Sequence, residues 1–487
     1  MNQFSDLSNN FSVPHIPSRE TKNLSRQLSN RHIQLISIGG AIGTGLFMGS
    51  GKTIALAGPS VLFVYMIIGF MLFLVMRAMG ELLLSNLEYK SFANFATELL
   101  GPWAGFFTGW TYWFCWIVTG IADVVVISGY ISYWLPNLHL WIPAFTSVIV
   151  LISLNLPTVR IFGETEFWFA LVKIIAIIML IFIGLIMIFT VHGSSSASQA
   201  SFSNLWNNGG LFPTGPMGFV SGFQIAIFAF VGIELVGITA AETKDPERNL
   251  PKAINSIPVR VMLFYIAALT VIIAVTPWFE IDTKLSPFVA MFSLAGLSVA
   301  ASIVNVVVLT SATSSANSGI YSTSRMVYGL ATEGDAPRIF GKLTSRHVPY
   351  NALFLSGLFL LSGVIVVAIG DSILAAFTLV TTIASLCFIF VWTIILMSYL
   401  VYRKRQPDLH KLSKFKMPGG TIMCYVVLAF FAFLIVAFAL QKDTREAEMI
   451  TPIWFLILSI SWLIICRRTK HIKTTNSYKI TAKNNSD

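Results

Sequence analysis

Long apolar runs are the feature of this chain that most limits its fold. Lipid offers no partner for backbone polar groups, so a segment that crosses a bilayer forms a helix of about 20 mostly apolar residues. Twelve such runs occur in the 487 residues. They predict transmembrane helices at roughly 33–56, 59–84, 103–134, 141–160, 167–191, 217–241, 257–279, 287–320, 351–370, 373–401, 418–440 and 449–466. The sequence therefore predicts an all-α polytopic membrane protein.

The composition agrees with this prediction. Hydrophobic residues make up 55% of the chain and charged residues only 11%, whereas a soluble domain carries about 25% charged residues. The polar segments between the runs are short, and the longest internal one is about 192–216. No room remains for an ATP-hydrolysing domain, so any transport by such a chain would draw its energy from an ion gradient or from the substrate's own gradient.

The basic residues predict how the chain lies in the membrane. Of the 32 Lys and Arg residues, 27 fall on the side of the two termini, four on the opposite side, and Lys173 inside a run. Because basic residues concentrate in cytoplasmic loops, both termini are predicted to be cytoplasmic. The same distribution explains the net charge of +10 without a nucleic-acid partner.

Four regions follow from these patterns. We predict a disordered cytoplasmic tail at 1–23, a ten-helix core at 24–401, two further helices within 402–466 and a basic cytoplasmic tail at 467–487. The core divides into two repeats at about 31–191 and 217–401. The four cysteines lie in apolar runs, and the seven histidines lie in tails, loops or span ends. Neither set has the spacing of a metal site or a catalytic triad, so we expect no enzyme activity, metal or cofactor.

Glycines interrupt the first predicted span. Each costs about 1 kcal/mol in a helix interior relative to alanine, and four occur within seven residues: Gly39, Gly40, Gly43 and Gly45. This density favours a local break in the helix. Close helix packing is the alternative, because small residues four apart are typical of helix contacts in membranes.

The sixth span contains a second interruption, where Gly232 and Gly237 flank Glu234. Two interrupted helices at corresponding positions of two repeats point to a transporter binding site. Unwinding exposes backbone N–H groups suited to a carboxylate and carbonyls suited to an ammonium group. A substrate that carries both groups is an amino acid.

Ionisable residues inside the spans are functional candidates, because burying them in a membrane is costly. Lys173 in the fifth span is a candidate proton carrier, since a buried lysine can change its protonation state; the alternative is a permanently paired structural lysine. Asp123 in the third span is a possible partner or second proton site. Glu234 is expected to cap the broken helix or to anchor it. Arg77 and Glu81, one turn apart, are expected to form a structural or gating ion pair.

The eighth span carries a run of hydroxyl residues, LTSATSSANSG at 309–319. Its side chains offer oxygen ligands for a cation at Thr310, Ser311, Ser314 and Ser315. Packing of small residues against another helix explains the run equally well.

Five stretches carry a resemblance to a known family: RHIQLISIGGAIGTGLFMGSGKTIALAGPS, MRAMGELLLSNLEYKSF, GPWAGFFTGWTYWF, FVGIELVGITAAETKDPERNLPKAINSIP and SANSGIYSTSRMVYGLA. Through them the chain resembles the bacterial amino acid transporter family of the amino acid–polyamine–organocation superfamily. The likeness extends from about Leu24 to Cys466.

This resemblance implies a leucine-transporter-like fold, a five-plus-five inverted repeat with two extra C-terminal helices and with helices 1 and 6 broken. It also implies import of amino acids with protons across the bacterial inner membrane, with the lipid bilayer, protons and a small amino acid as partners. The substrate carboxylate would bind the amides of Gly43, Thr44 and Gly45. The amino group would bind carbonyls of the sixth span, at Phe228, Ala229 and Val231. Lys173 matches a helix 5 lysine that replaces a sodium site in some relatives, which favours protons over sodium.

The expected substrates are small neutral amino acids: glycine, D-alanine, D-serine, L-alanine and D-cycloserine. Recognition of the α-amino and carboxylate groups by backbone atoms does not demand one chirality when the side chain is small. Two alternatives stay open. One is a permease of the same fold for proline, aromatic amino acids or γ-aminobutyrate, and the other is an amino acid sensor that binds its ligand without transporting it.

Overall fold

A computed structural model describes residues 42–89, 91–190, 200–239, 245–283, 285–294, 298–370 and 372–484, with the backbone alone at 159–160, 239, 298–300 and 467–484. Every regular element within these residues is a helix. The predicted tail at 1–23, and Gly39 and Gly40 of the first span, lie outside the described residues.

The α-helices are numbered in chain order. They are α1 (Thr44–Phe47), α2 (Gly49–Ala57), α3 (Val61–Ser85), α4 (Phe92–Leu100), α5 (Pro102–Ser132), α6 (Trp141–Asn155), α7 (Val159–Thr190), α8 (Gly215–Ala226), α9 (Leu235–Thr239), α10 (Pro246–Asn255), α11 (Ile257–Arg260), α12 (Ala268–Val275), α13 (Pro287–Leu294), α14 (Ser298–Glu333), α15 (Tyr350–Leu360), α16 (Ser362–Ile369), α17 (Ile373–Arg405), α18 (Pro407–Leu412), α19 (Gly420–Leu440) and α20 (Lys442–Asn484). Turns of 3₁₀-helix extend α2 and α8, and a π-helix at Val261–Ala267 joins α11 to α12.

Nine helical stretches in the described part of the chain are long and apolar enough to cross a membrane. Their depth within the protein differs widely. In Gly215–Ile238, 89% of the most apolar window is buried, whereas in Lys442–Cys466 the buried share is 11%. A helix that is buried on all sides is surrounded by protein. The sixth predicted span, where the candidate site lies, is therefore central. The C-terminal helix instead presents apolar side chains outward, as a lipid-facing helix does.

Two helix boundaries differ from the prediction in ways that matter for the site. α7 begins at Val159 rather than 167 and therefore includes Glu166. α14 continues to Glu333, well beyond the predicted end at 320. In both cases the helix extends beyond the apolar run. Polar residues interrupt the run, but their side chains find buried partners and the backbone hydrogen bonding of the helix continues past them.

The segment 406–419, which we call the strap, connects α17 to α19 and lies against α3. Glu81 of α3 is buried, and His410 Nδ1 lies 2.5 Å from its Oε1 atom. The backbone N–H of Met417 donates to Oε2 at 3.0 Å. The expected ion pair between Arg77 and Glu81 is therefore wrong. Arg77 instead donates to Asn255 Oδ1 at 2.7 Å and to a strap carbonyl, because the two side chains lie at different depths and each is satisfied by a segment distant in sequence.

Replacing His410 by alanine is expected to lower the thermal stability of the detergent-solubilised protein. A buried acceptor left without one of its partners costs about 1–3 kcal/mol, and Glu81 would keep only the Met417 contact. Thermal unfolding of His410→Ala should be compared with that of His139→Ala, where the histidine is exposed. Equal melting temperatures for the two variants would contradict a stabilising role of the strap contact.

Candidate functional site

The first span enters the described residues at a helix start. Gly43 has an extended conformation (φ −116°, ψ −162°) and precedes α1, and Met48 joins α1 to α2. The first N–H groups of a helix have no partner within that helix. The backbone at Thr44 and Gly45 therefore has N–H groups available for an anionic group.

The helical path of the sixth span is interrupted between α8 and α9. A 3₁₀ turn at Ile227–Phe230 follows α8, and Val231 then leaves the helical conformation with ψ 138°. Gly232 has φ +98°, a region that only glycine enters at low cost. The glycine at 232 permits the interruption, because a residue with a β-carbon would be strained in this conformation.

These two irregular segments touch each other. A β-carbon built on Gly45 would lie 2.6 Å from Ala229 Cα, 2.7 Å from Ala229 N and 3.0 Å from the Phe228 carbonyl carbon. The two backbones therefore pack without an intervening side chain. The structure brings Gly45, Phe228 and Ala229 together, although they are about 180 residues apart in the sequence.

Two carbonyl groups of the sixth-span turn, those of Phe228 and Ala229, already have one partner each. The Tyr265 hydroxyl donates to Ala229 O at 2.8 Å, and the Val231 N–H donates to Phe228 O at 3.1 Å. A carbonyl oxygen has two lone pairs, so each can accept one further hydrogen bond. Tyr265 was not among the predicted site residues, because nothing in its local sequence indicates a contact with the sixth span.

Asp123 of α5 is joined directly to the start of α1. The Thr44 hydroxyl donates to Asp123 Oδ1 at 2.7 Å, and both side chains are buried. Asp123 Oδ2 has no hydrogen-bond partner within the described residues. Ser315 of α14 is close to the same point, since a β-carbon on Gly43 would lie 3.4 Å from Ser315 Oγ. Asp123, Thr44 and Ser315 thus form one polar group beside the first span.

Lys173 of α7 contacts the same stretch of α14, at the neighbouring serine. Its Nζ atom donates to Ser314 Oγ at 3.0 Å, and Ser314 donates to Glu166 Oε2 at 2.6 Å. Asn317 Nδ2 donates to the other oxygen of Glu166, also at 2.6 Å. Lys173, Ser314 and Glu166 are all fully buried.

Glu166 is the functional candidate that the sequence reasoning missed. The predicted fifth span began at 167 and placed this carboxylate just outside the membrane. A helical signal was present, because Glu166 and Lys173 are seven residues apart and so face the same side of a helix two turns apart.

Glu234 contacts the backbone of the interrupted segment. The Gly232 N–H donates to Glu234 Oε2 at 3.2 Å, and Glu234 is buried. This is a local contact that stabilises the turn. Glu234 Oε1 has no hydrogen-bond partner within the described residues, and Tyr112 and Trp116 of α5 are its electrostatic neighbours.

The hydroxyl run of α14 divides into several environments. Ser311 donates to the carbonyl of Ile42 at 3.1 Å, which ties α14 to the first span. Thr310 bonds back to Val307 of its own helix and is not brought to the site. No group of three or more His, Cys, Asp or Glu side chains in the described part of the chain is arranged to hold a metal ion.

A cavity of about 480 Å³ lies next to this region. Met48 lies at the cavity, four residues after Thr44, and Tyr130, Ser286 and Asn305 are among the polar side chains that line it. Its lining also includes Ser132, Tyr133, Thr283, Leu285, Gly370 and Ser372. The helix ends at this cavity are opposite to those that contact the strap. The cavity therefore reaches the junction of α1 and α2 from one side of the protein.

Comparison with known proteins gives a consistent result. A family model described as amino acid permease matches residues 32–477. A D-serine/D-alanine/glycine transporter of Escherichia coli (strain K12) is 61% identical over 447 residues, which are 92% of this chain and 95% of that protein. Two proteins of Bacillus subtilis (strain 168) are also similar over 92% and 93% of this chain: an uncharacterized transporter, 54% identical, and an amino-acid permease, 51% identical. The matched part covers 97% and 98% of those two proteins.

Proposed function

The chain belongs to the amino acid permease family, and on this premise we propose that it imports small neutral amino acids together with protons. The proposed substrates are glycine, D-alanine and D-serine, with L-alanine and D-cycloserine as further ones. Similarity to the D-serine/D-alanine/glycine transporter of Escherichia coli supports the first three. The observation that carries the proposal is the backbone contact between Gly45 and Ala229. This contact places the first N–H groups of α1 next to carbonyl oxygens that can each accept a further hydrogen bond.

We propose the five-plus-five inverted repeat with two additional helices as the architecture, with helices 1 and 6 broken. The helix start at Gly43 and the interruption between Ala226 and Leu235 support the two breaks. The proposed repeats are about 31–191 and 217–401, so the two irregular segments occupy the first helix of each repeat. A binding site between such segments is the usual arrangement in transporters of this kind.

In the proposed complex the substrate carboxylate binds the amides of Gly43, Thr44 and Gly45. The ammonium group binds carbonyls of the sixth-span turn, at Phe228, Ala229 and Val231. Because both charged groups of the substrate bind to backbone atoms, the side chain makes few of the essential contacts. A hydrogen atom, a methyl group or a hydroxymethyl group can then be tolerated on either face of the α-carbon, which accounts for D-amino acids among the substrates.

Proton coupling follows from the acid beside the carboxylate site. Asp123 is hydrogen-bonded to Thr44, so a bound carboxylate would lie near a second carboxylate in a buried setting. Like charges repel strongly where water is excluded, and a proton on Asp123 removes that repulsion. Lys173 is electrostatically attracted to Asp123 and to Glu166 and is the proposed proton carrier. Glu234 is the third proposed participant, through its contact with the broken helix.

The cavity and the strap suggest the direction of access. We propose that the cavity beside Met48 faces the outside of a bacterial inner membrane and that the strap faces the cytoplasm with both termini. The distribution of basic residues supports this orientation. The described state would then be open to the outside, with Glu81 and His410 helping to hold the cytoplasmic side closed.

Uptake by purified protein in proteoliposomes tests the proposal. With the interior alkaline, we expect labelled glycine and D-alanine to accumulate and a protonophore to abolish the accumulation. Excess D-serine should compete, whereas L-phenylalanine, proline and γ-aminobutyrate should not. Competition by one of the latter three alone would favour a permease for another amino acid. Saturable binding without flux would favour a sensor.

A further inference from the structure

The hydrogen bonds around Lys173 have a fixed direction. An ammonium group donates and cannot accept, so Ser314 Oγ must accept from Lys173 Nζ across the 3.0 Å contact. The single hydrogen of that hydroxyl is then left to donate, and it points to Glu166 Oε2 at 2.6 Å. The chain therefore runs from the lysine through the serine to the carboxylate.

A second chain reaches the same carboxylate from another helix. Asn155 of α6 donates to Asn317 Oδ1 at 2.7 Å, and Asn317 Nδ2 donates to Glu166 Oε1. Both oxygens of Glu166 are thus occupied by donors. An ionised carboxylate only accepts, and this environment suits it. Three helices, α6, α7 and α14, meet at this one group.

The charges explain why such a group is retained inside the membrane. A buried ammonium is costly unless an opposite charge and hydrogen bonds compensate it. Within the described residues the charged groups that attract Lys173 are Glu166 and Asp123, and the attraction to Glu166 is the larger. Asp123 has a separate contact with Thr44 and is next to the proposed substrate carboxylate. Glu166 is not next to the proposed substrate groups, and its Oε2 atom is connected to Lys173 through Ser314.

We propose that Glu166 is the positioning residue of Lys173 and acts through Ser314. It balances the ammonium charge and holds Nζ against α14, beside the first span. When Lys173 passes its proton to water on the cytoplasmic side in the proposed import cycle, the neutral amine can accept a hydrogen bond. The Ser314 hydrogen can then turn from Glu166 to Nζ. The protonation state of the lysine thereby changes a contact between α7 and α14. This inference deepens the proposed proton coupling and depends on it.

The first test is Glu166→Gln in proteoliposomes. The amide nitrogen of glutamine cannot accept a hydrogen bond, so Ser314 or Asn317 loses its acceptor while Lys173 loses its counter-charge. We expect accumulation driven by a pH gradient to fall about tenfold or more, because breaking a buried pair carries a large penalty. Exchange of internal for external glycine should persist, with its KM changed less than about threefold. Glu446→Gln on α20 changes an exposed carboxylate in the same way; it is the control and should accumulate like the wild type.

Ser314→Ala tests the bridge separately, since it leaves both charged groups in place. It should reproduce the loss of accumulation with exchange retained. Ser385→Ala is its control, because among the described residues that buried hydroxyl bonds only within its own helix, to the Thr381 carbonyl. Accumulation at the wild-type level in Glu166→Gln or in Ser314→Ala would overturn the proposal, as would equal loss of accumulation and exchange in well-folded protein.

If Glu166→Gln does not fold, the double variant Glu166→Gln/Lys173→Met provides the decisive measurement. Removing both charges should restore the amount of folded protein, measured by size-exclusion chromatography, because neither charge is then buried without the other. Failure of the double variant to fold would show that Glu166 is needed by the fold itself and would overturn the positioning role. Wild-type protein that ignores an imposed pH gradient would instead contradict the proton coupling, independently of any variant.

Discussion

Lys173→Ala is expected to abolish proton-driven accumulation of glycine while exchange of internal for external substrate continues. For one proton per substrate, a gradient of one pH unit can drive roughly tenfold accumulation, because 1.4 kcal/mol corresponds to a factor of ten. Without the lysine the accumulation ratio should approach one. Exchange needs only substrate binding and the return of the loaded protein, and the proposed backbone contacts to the substrate do not include Lys173.

The buried setting of Lys173 makes a second variant necessary. Alanine removes the charge that faces Glu166 and Asp123 and also leaves an empty volume, so some loss of folded protein is expected. Lys173→Met fills most of that volume with an apolar chain and should show the same loss of coupling. The measurement is the glycine accumulation ratio in proteoliposomes with an imposed pH gradient, normalised to folded protein. Lys442→Ala, where the lysine is exposed, is the control, and wild-type accumulation by both Lys173 variants would refute the lysine as the proton carrier.

The sequence predicted the class of fold and the family well. The class of fold was inferred from composition and apolar runs, and the family from local motifs. A single sequence shows both kinds of feature directly. The family model over residues 32–477 confirms the resemblance, and the described residues confirm a helical protein with many apolar spans. Glycines inside apolar runs are visible without a structure, and they drew attention to the two irregular segments. Their role in binding a substrate stays a prediction.

Contacts between distant segments could not be predicted in the same way. Glu81 was paired with Arg77 because they are one turn apart, but its partner His410 is 329 residues away. Tyr265 reaches the carbonyl of Ala229 from another helix. Glu166 was excluded because the helix was taken to begin where the apolar run begins, whereas it begins at Val159. In each case the buried polar group is satisfied by tertiary packing, and neither hydrophobic periodicity nor local spacing identifies the partner.

The meeting of the two irregular segments leads to the second strong prediction. Gly45→Ala is expected to reduce glycine uptake at least tenfold. The added β-carbon would lie 2.6 Å from Ala229 Cα and 2.7 Å from Ala229 N, distances that real side chains do not tolerate. The obstructing atoms belong to the backbone and cannot rotate away. Relieving the overlap requires the first span and the sixth span to separate, and overpacking of this kind costs about 1–3 kcal/mol.

The effect on transport should exceed the effect on folding, because the separation displaces the proposed amide site from the carbonyl site and weakens both ends of substrate binding together. Three variants isolate this cause. Gly329→Ala adds a methyl group where no atom lies within 4 Å and should transport normally. Gly43→Ala meets Ser315 Oγ at an ordinary 3.4 Å and should be milder than Gly45→Ala. Adding Ala229→Gly to Gly45→Ala removes only a side chain and should not restore uptake. Recovery of uptake in that double variant would mean that the two backbones do not form the contact on which the proposed substrate site depends.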